Sequence, residues 1–186
     1  MNNKTHFKLA LLSTALLPLL ALPLAQAATT SKADYQSAKT RIKADYSADK
    51  TACGSQSGNA KDICVEQAKA KEKVALAEAE FSYSGKASDH TKVLVAKAES
   101  THAVAKERCD DQAGNAKDVC VKEADAVKVK AVADAKLGKE IGEARQDAAT
   151  DKRDANYKVA IEKCDALAGD AKSSCVASAK TTYGKN

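Results

Sequence analysis

The chain has no tryptophan, and its single methionine is Met1. Its only two prolines, Pro18 and Pro23, lie in the first 27 residues. Without tryptophan there is no indole platform for stacking sugars. Without proline after residue 27, nothing forbids long helices. Large apolar side chains are also scarce. From residue 28 onward Leu, Ile, Val and Phe number 21 in 159 positions, 13%. That is below the level of about 20% at which disorder becomes a live expectation.

Catalytic and metal signatures are missing too. No G-x-S-x-G, H-E-x-x-H or phosphate-cradling glycine loop occurs, and no nucleophile, base and orienting group can be assembled. The cysteines form neither the C-x-x-C of a redox enzyme nor the close pairs of a structural zinc site. His90 and His102 flank no carboxylate cluster. The expectation is a non-enzymatic chain with no catalytic, cofactor-binding or metal residues and no cofactor.

The N-terminus is read as an export signal. Lys4, His6 and Lys8 form a basic start, residues 9–24 an apolar stretch, and Ala25-Gln26-Ala27 a small-x-small cleavage site. The apolar stretch is shorter than the roughly 20 residues of a spanning helix. Cleavage after Ala27 would leave a chain without stable membrane insertion. That chain carries 28 basic and 25 acidic side chains, interspersed along its length. The balance gives no reason to expect nucleic-acid binding.

What is present is helix-forming. Alanine occupies 34 of the 159 positions, and Lys, Glu and Gln fill much of the rest. Apolar residues recur at helical spacing. One stripe runs through Ile63, Ala70, Val74, Ala77 and Phe81. A second runs through Leu94, Ala98, His102, Ala105 and Cys109. A third passes through Cys120, Ala124, Val127, Ala131 and Ala135, and a fourth through Tyr157, Ala160, Cys164 and Leu167. Tyr35, Tyr46, Tyr83, Tyr157 and Tyr183 are the largest candidates for core anchors in so alanine-rich a chain.

One motif occurs three times: CGSQSGNAKDICVEQA from Cys53, CDDQAGNAKDVCVKEA from Cys109 and CDALAGDAKSSCVASA from Cys164. The first cysteines lie 56 and 55 positions apart, the period of a helical repeat. Within each copy the cysteines are 11 positions apart. In an unbroken helix that is about 16 Å, too far for a disulfide. Gly58, Gly114 and Gly169 suit a left-handed helix end, and Asn59, Asn115 and Asp170 suit the next N-cap. A hairpin turned there brings the two thiols level. The expected bonds are Cys53–Cys64, Cys109–Cys120 and Cys164–Cys175, with pairing between copies as the alternative. The fold expected is all-α: three stapled αα-hairpins of about six helices, in an elongated array or a loose bundle. The repeats would span residues 28–85, 86–142 and 143–186, with bends at Gly85 and at Gly138 to Gly142.

The signal-like start, the Ala/Lys-rich helices and the repeated C-x10-C motif together resemble small, uncharacterised exported proteins of Gram-negative bacteria, TolA-like in composition. The paired cysteines also resemble those of coiled-coil-helix-coiled-coil-helix proteins, which carry two pairs per hairpin with nine residues between cysteines. Here Cys109 and Cys120 have ten between them. No functional residue carries over from either group. The expectation is a periplasmic protein with a structural or interaction role within the cell envelope, through a protein partner or self-association. A second expectation is an ATP-independent holdase chaperone or stress protein, for which shallow apolar patches ringed by charge would serve.

Overall fold

The computed structural model describes residues 30–185. The expected signal segment, residues 1–27, lies outside the described residues. The fold is all-α. The helices are α1 (Lys32–Ala52), α2 (Gly58–Ser84), α3 (Ala87–Cys109), α4 (Gly114–Asp165) and α5 (Gly169–Tyr183), with a short 3₁₀ turn at Cys53–Ser55 after α1.

Among the described residues five helices stand where about six were expected, because α4 runs unbroken for 52 residues through Gly138 and Gly142. A helix-interior glycine costs about 1 kcal/mol relative to alanine. Two of them do not stop a helix that has good formers on both sides and no proline or competing cap. Gly85 does stop one. It ends α2 at φ 64°, with its N–H donating to the Phe81 carbonyl at 2.8 Å.

The helices pack in chain order. α1 lies against α2, α2 against α3, α3 against α4, and α5 against α4. Among the described residues no pair of helices that are not chain neighbours comes into backbone contact, so the helices do not close into a bundle. On α4 the buried residues are Ala124, Ala135 and Cys164. At 100° per residue they lie within about 40° of one another around the helix. α3 and α5 therefore pack on the same side of α4. Among the described residues no helix packs on its opposite side.

The interior is made of small side chains. Buried positions are Cys53, Ala68, Val93, Ala96, Ala98, Cys109, Ala124, Ala135, Cys164 and Ala179, joined by Asp89 and Ser100. Ser100 reflects how closely α2 and α3 approach: its hydroxyl donates to the Ala70 carbonyl at 3.4 Å. Several expected stripe residues point outward instead. Leu94, Val127 and Leu167 are 39%, 62% and 44% exposed. With alanine setting the helix separation, the larger side chains have no cavity to enter.

Four of the five tyrosines clamp hairpin mouths rather than filling a core, while Tyr46 lies half-buried along α1. Tyr35 stacks on Tyr83 at 4.8 Å between centroids, where α1 begins and α2 ends. Tyr157 meets Tyr183 edge-on at 6.2 Å across α4 and α5. Thr30 adds a tie at the first mouth, donating from both N–H and hydroxyl to the Ser82 carbonyl.

Two glycine substitutions check this backbone reading. Gly114 has φ +58° and Gly138 sits in regular helix, and a Cβ at either meets nothing within 4 Å. Only backbone preference is then at stake. Gly114→Ala should lower stability by about 1 kcal/mol. Gly138→Ala should raise it by about 0.5–1 kcal/mol. Urea unfolding midpoints that move in the same direction for both would contradict the continuous α4.

Candidate functional site

The three repeated tips are the most distinctive constellation in the chain. Their disulfides are Cys53–Cys64, Cys109–Cys120 and Cys164–Cys175, with Cα separations of 5.6, 5.7 and 5.6 Å. The local pairing from spacing is therefore the pairing in the structure, and no cysteine is left free among the described residues. A thiolate nucleophile or thiolate metal ligand is not on offer in this oxidised state.

The turn inside each tip differs from the expectation in one respect. Gly58, Gly114 and Gly169 have φ of 57°, 58° and 57°, as a left-handed glycine should. They open the following helix rather than close the preceding one. The residue before each, Ser57, Ala113 or Ala168, is extended and occupies the N-cap position without a side-chain bond. Asn59 is therefore not a cap. Its amide donates to the Glu107 carbonyl at 3.0 Å and to Asp111 Oδ1 at 2.7 Å. It ties the first tip to the second, so those two tips share one end of the molecule.

The Lys of the second and third Ala-Lys pairs has a job that cysteine spacing does not reveal. Lys117 reaches Asp110 at 3.0 Å and Lys172 reaches Asp165 at 3.0 Å, closing the second and third tips beside their disulfides. In the first copy Gly54 stands where the others have Asp. The recurring Cys-Asp…Ala-Lys order is the sequence signal of this pair.

The third tip is set apart. Cys164 follows Cys120 by 44 positions along α4, about 66 Å at 1.5 Å per residue. The long helix thus holds one tip at a distance from the other two.

Among the described residues three of the larger grooves lie between helices. On one face of the α2–α3 pair a groove of about 780 Å³ has a floor of Val74, Val104 and Ala105 and a rim of Lys71, Glu78, Lys97 and Arg108. The other face holds one of about 500 Å³, lined by Tyr35, Leu76 and Val95. It adjoins a third, of about 610 Å³, where Lys73, His102, Lys128, Val132 and Lys136 meet between α3 and α4. The rims carry both signs of charge, and many of those charges are paired. Lys73 meets Glu99 at 2.6 Å, Lys97 meets Glu78 at 2.7 Å, and Lys71 meets Asp49 at 2.8 Å. Each such exposed pair is worth at most about 1 kcal/mol.

Two buried or half-buried polar groups lie away from the tips. His102 stands seven residues before the first cysteine of its copy, as Tyr46 and Tyr157 do in theirs, and is half-buried. Its Nε2 lies 2.6 Å from Asp125 Oδ1. An ionised carboxylate can only accept, so Nε2 carries the proton. No hydroxyl or thiol joins the pair among the described residues. It acts as a link between α3 and α4. The hydrogen bond from His102 holds the Asp125 carboxyl below its usual range.

Asp89 is 5% exposed at the α2–α3 turn. Lys92 reaches it at 2.8 Å and the Ser84 hydroxyl donates to it at 2.5 Å, while Ser84 also accepts from the Lys86 N–H. Lys92 and then Ser84 hold the Asp89 carboxyl low. Asp89 and Glu80 together push Lys92 up to about 12. This network fixes the turn between α2 and α3.

Among the described residues no three His, Cys, Asp or Glu side chains converge on a cation site, and no helix is long and apolar enough to cross a membrane. No known protein family, curated protein or solved structure matches the chain. Three disulfides in a chain with so small a core point to an oxidising environment of the extracellular type.

The His102–Asp125 link predicts an acid-dependent loss. A carboxyl whose folded pKa is depressed contributes stability that is complete above its unfolded pKa, near 4, and is lost as pH falls through the lower folded value. Asp125→Asn should therefore be less stable than the wild type at neutral pH. The gap should shrink progressively on acidification below about pH 4. Unfolding curves separated by a constant amount from pH 7 to pH 2 would contradict the assignment.

Proposed function

We propose that this is a non-enzymatic structural or interaction protein of the bacterial cell envelope. It is exported to the periplasm by a signal cleaved after Ala27. The observation that carries the reading is α4, one 52-residue helix that spans both the α3–α4 hairpin and the α4–α5 hairpin. A chain that invests its length in separating two stapled tips by about 66 Å, on an open layer of helices, is suited to bridging or spacing. Each tip is closed by its own local disulfide, which suits a spacer in an oxidising environment.

A second reading is favoured by a separate observation. The α2–α3 groove has an apolar floor and a charged rim. This is the surface a holdase would use to shelter exposed apolar segments of an unfolding client without ATP.

Photo-crosslinking from a probe at Val104 in the intact envelope separates these readings. The first expects one or a few discrete adducts and no protection of an aggregating client. A broad smear of adducts, with substoichiometric suppression of aggregation by the purified chain, would replace it with the holdase. Export has its own check, since the chain from a periplasmic fraction should begin at Ala28. A cytoplasmic, full-length product would overturn the envelope assignment.

A further inference from the structure

α3 and α5 cover the same side of α4, and among the described residues nothing covers the other. Residues 142–149 are exposed without exception. Yet the free side is not a plain charged surface. Leu137, 54% exposed, and Ile141, 44% exposed, begin a series that continues through Ala144, Ala148 and Ala155. With Asp151 between the last two, the steps are 4, 3, 4, 3 and 4 residues, the spacing of a coiled-coil seam. At 100° per residue the series lies opposite Ala124, Ala135 and Cys164, the residues that face α3 and α5.

The charges beside this seam are sorted by sign. Glu140 and Asp147 lie on one flank, Arg145 and Lys152 on the other. None of the four makes an ion pair among the described residues, although the same helix pairs Lys130 with Asp134 and Lys139 with Glu143. In a parallel two-stranded coil each residue on the first flank faces the residue about five positions on in the second strand. From 140 that is 145, and from 147 it is 152. Both matches are acid to base, and two-fold symmetry makes each of them twice. In an antiparallel pair like flanks meet, acid against acid and base against base.

We propose that the free face of α4 is a homodimer interface, two copies of this chain lying parallel and in register over residues 137–155. Glu140 then pairs with Arg145 of the partner subunit, and Asp147 pairs with Lys152 of the partner subunit. Leu137, Ile141 and Ala144 form the seam. The self-complementary charge pattern is what selects a second copy over an unrelated helix. The seam is short and alanine-rich, smaller than a standard interface of about 1,600 Å², so the dimer is weak and salt-sensitive. Asp151 faces its own copy in the seam and limits the affinity. The proposal builds on the interaction reading but is tested on pure protein, so its failure leaves the envelope role standing.

Sedimentation equilibrium of the disulfide-bonded chain, up to several hundred micromolar at low salt, tests it. The wild type should show a reversible monomer–dimer equilibrium. Glu140→Arg should weaken it roughly tenfold, since two exposed ion pairs give way to two like-charge repulsions. Glu140→Arg combined with Arg145→Glu should restore it. Asp151→Leu should tighten it by about tenfold or more. All three sites are exposed and leave the hairpins intact, which circular dichroism verifies. A monomer at every concentration, even with Asp151→Leu, overturns the proposal. A dimer that Glu140→Arg strengthens overturns the parallel arrangement.

Discussion

The covalent closure of each hairpin tip is the constraint on which the fold depends. The side chains sealed most completely from solvent are Cys53, Cys109 and Cys164, at 1%, 0% and 1% exposure. The deepest points of the molecule are thus half-cystines rather than leucines or phenylalanines. Closing a loop of about 12 residues stabilises by roughly 3 kcal/mol in the loop-entropy description. Net folding stability is typically about 5–15 kcal/mol, so a few such bridges rival the whole of it. The tips supply what residues 28–186, with 21 Leu, Ile, Val and Phe in 159 positions, cannot obtain from burial.

Everything between the tips follows from helix propensity and small side chains. Alanine lets α2 and α3 approach until Ser100 reaches the Ala70 carbonyl, but it removes little surface from water. The helices therefore touch only their chain neighbours and form an open layer. Exposed ion pairs such as Lys71–Asp49 and Lys97–Glu78 align neighbours more than they stabilise them. At the mouths, away from the bridges, aromatic pairs close the first and third hairpins. Those two hairpins are fixed at both ends.

The disulfide pairing and the all-α class were legible because they rest on local rules: a spacing of 11, a left-handed glycine and uninterrupted helix formers. The register of the helices was less so. Leu94 and Val127 lie on plausible apolar stripes yet point outward, because alanine neighbours at the contact leave no room for a larger side chain. Gly138 and Gly142 look like a bend, but a cost of about 1 kcal/mol each is small against the cooperativity of so long a helix. Asn59 has the identity of a cap and instead crosses to Glu107 and Asp111, a contact between repeats that no local pattern encodes. The tip pairs Lys117–Asp110 and Lys172–Asp165 are written into the repeat, but only the folded hairpin shows that lysine and aspartate meet across the turn. Function was the least legible. The arms carry alternating charge and alanine, a pattern that names no reaction and no partner.

Reduction of the native protein tests the central claim most directly. Thermal unfolding followed by circular dichroism, with and without a strong reductant, compares the two states. If the tip bridges hold the fold, reduction lowers the melting temperature sharply and broadens the transition. Considerable helix signal survives at low temperature, because helix propensity does not depend on the bridges. An unchanged, cooperative transition after complete reduction would show that packing between the helices holds the fold.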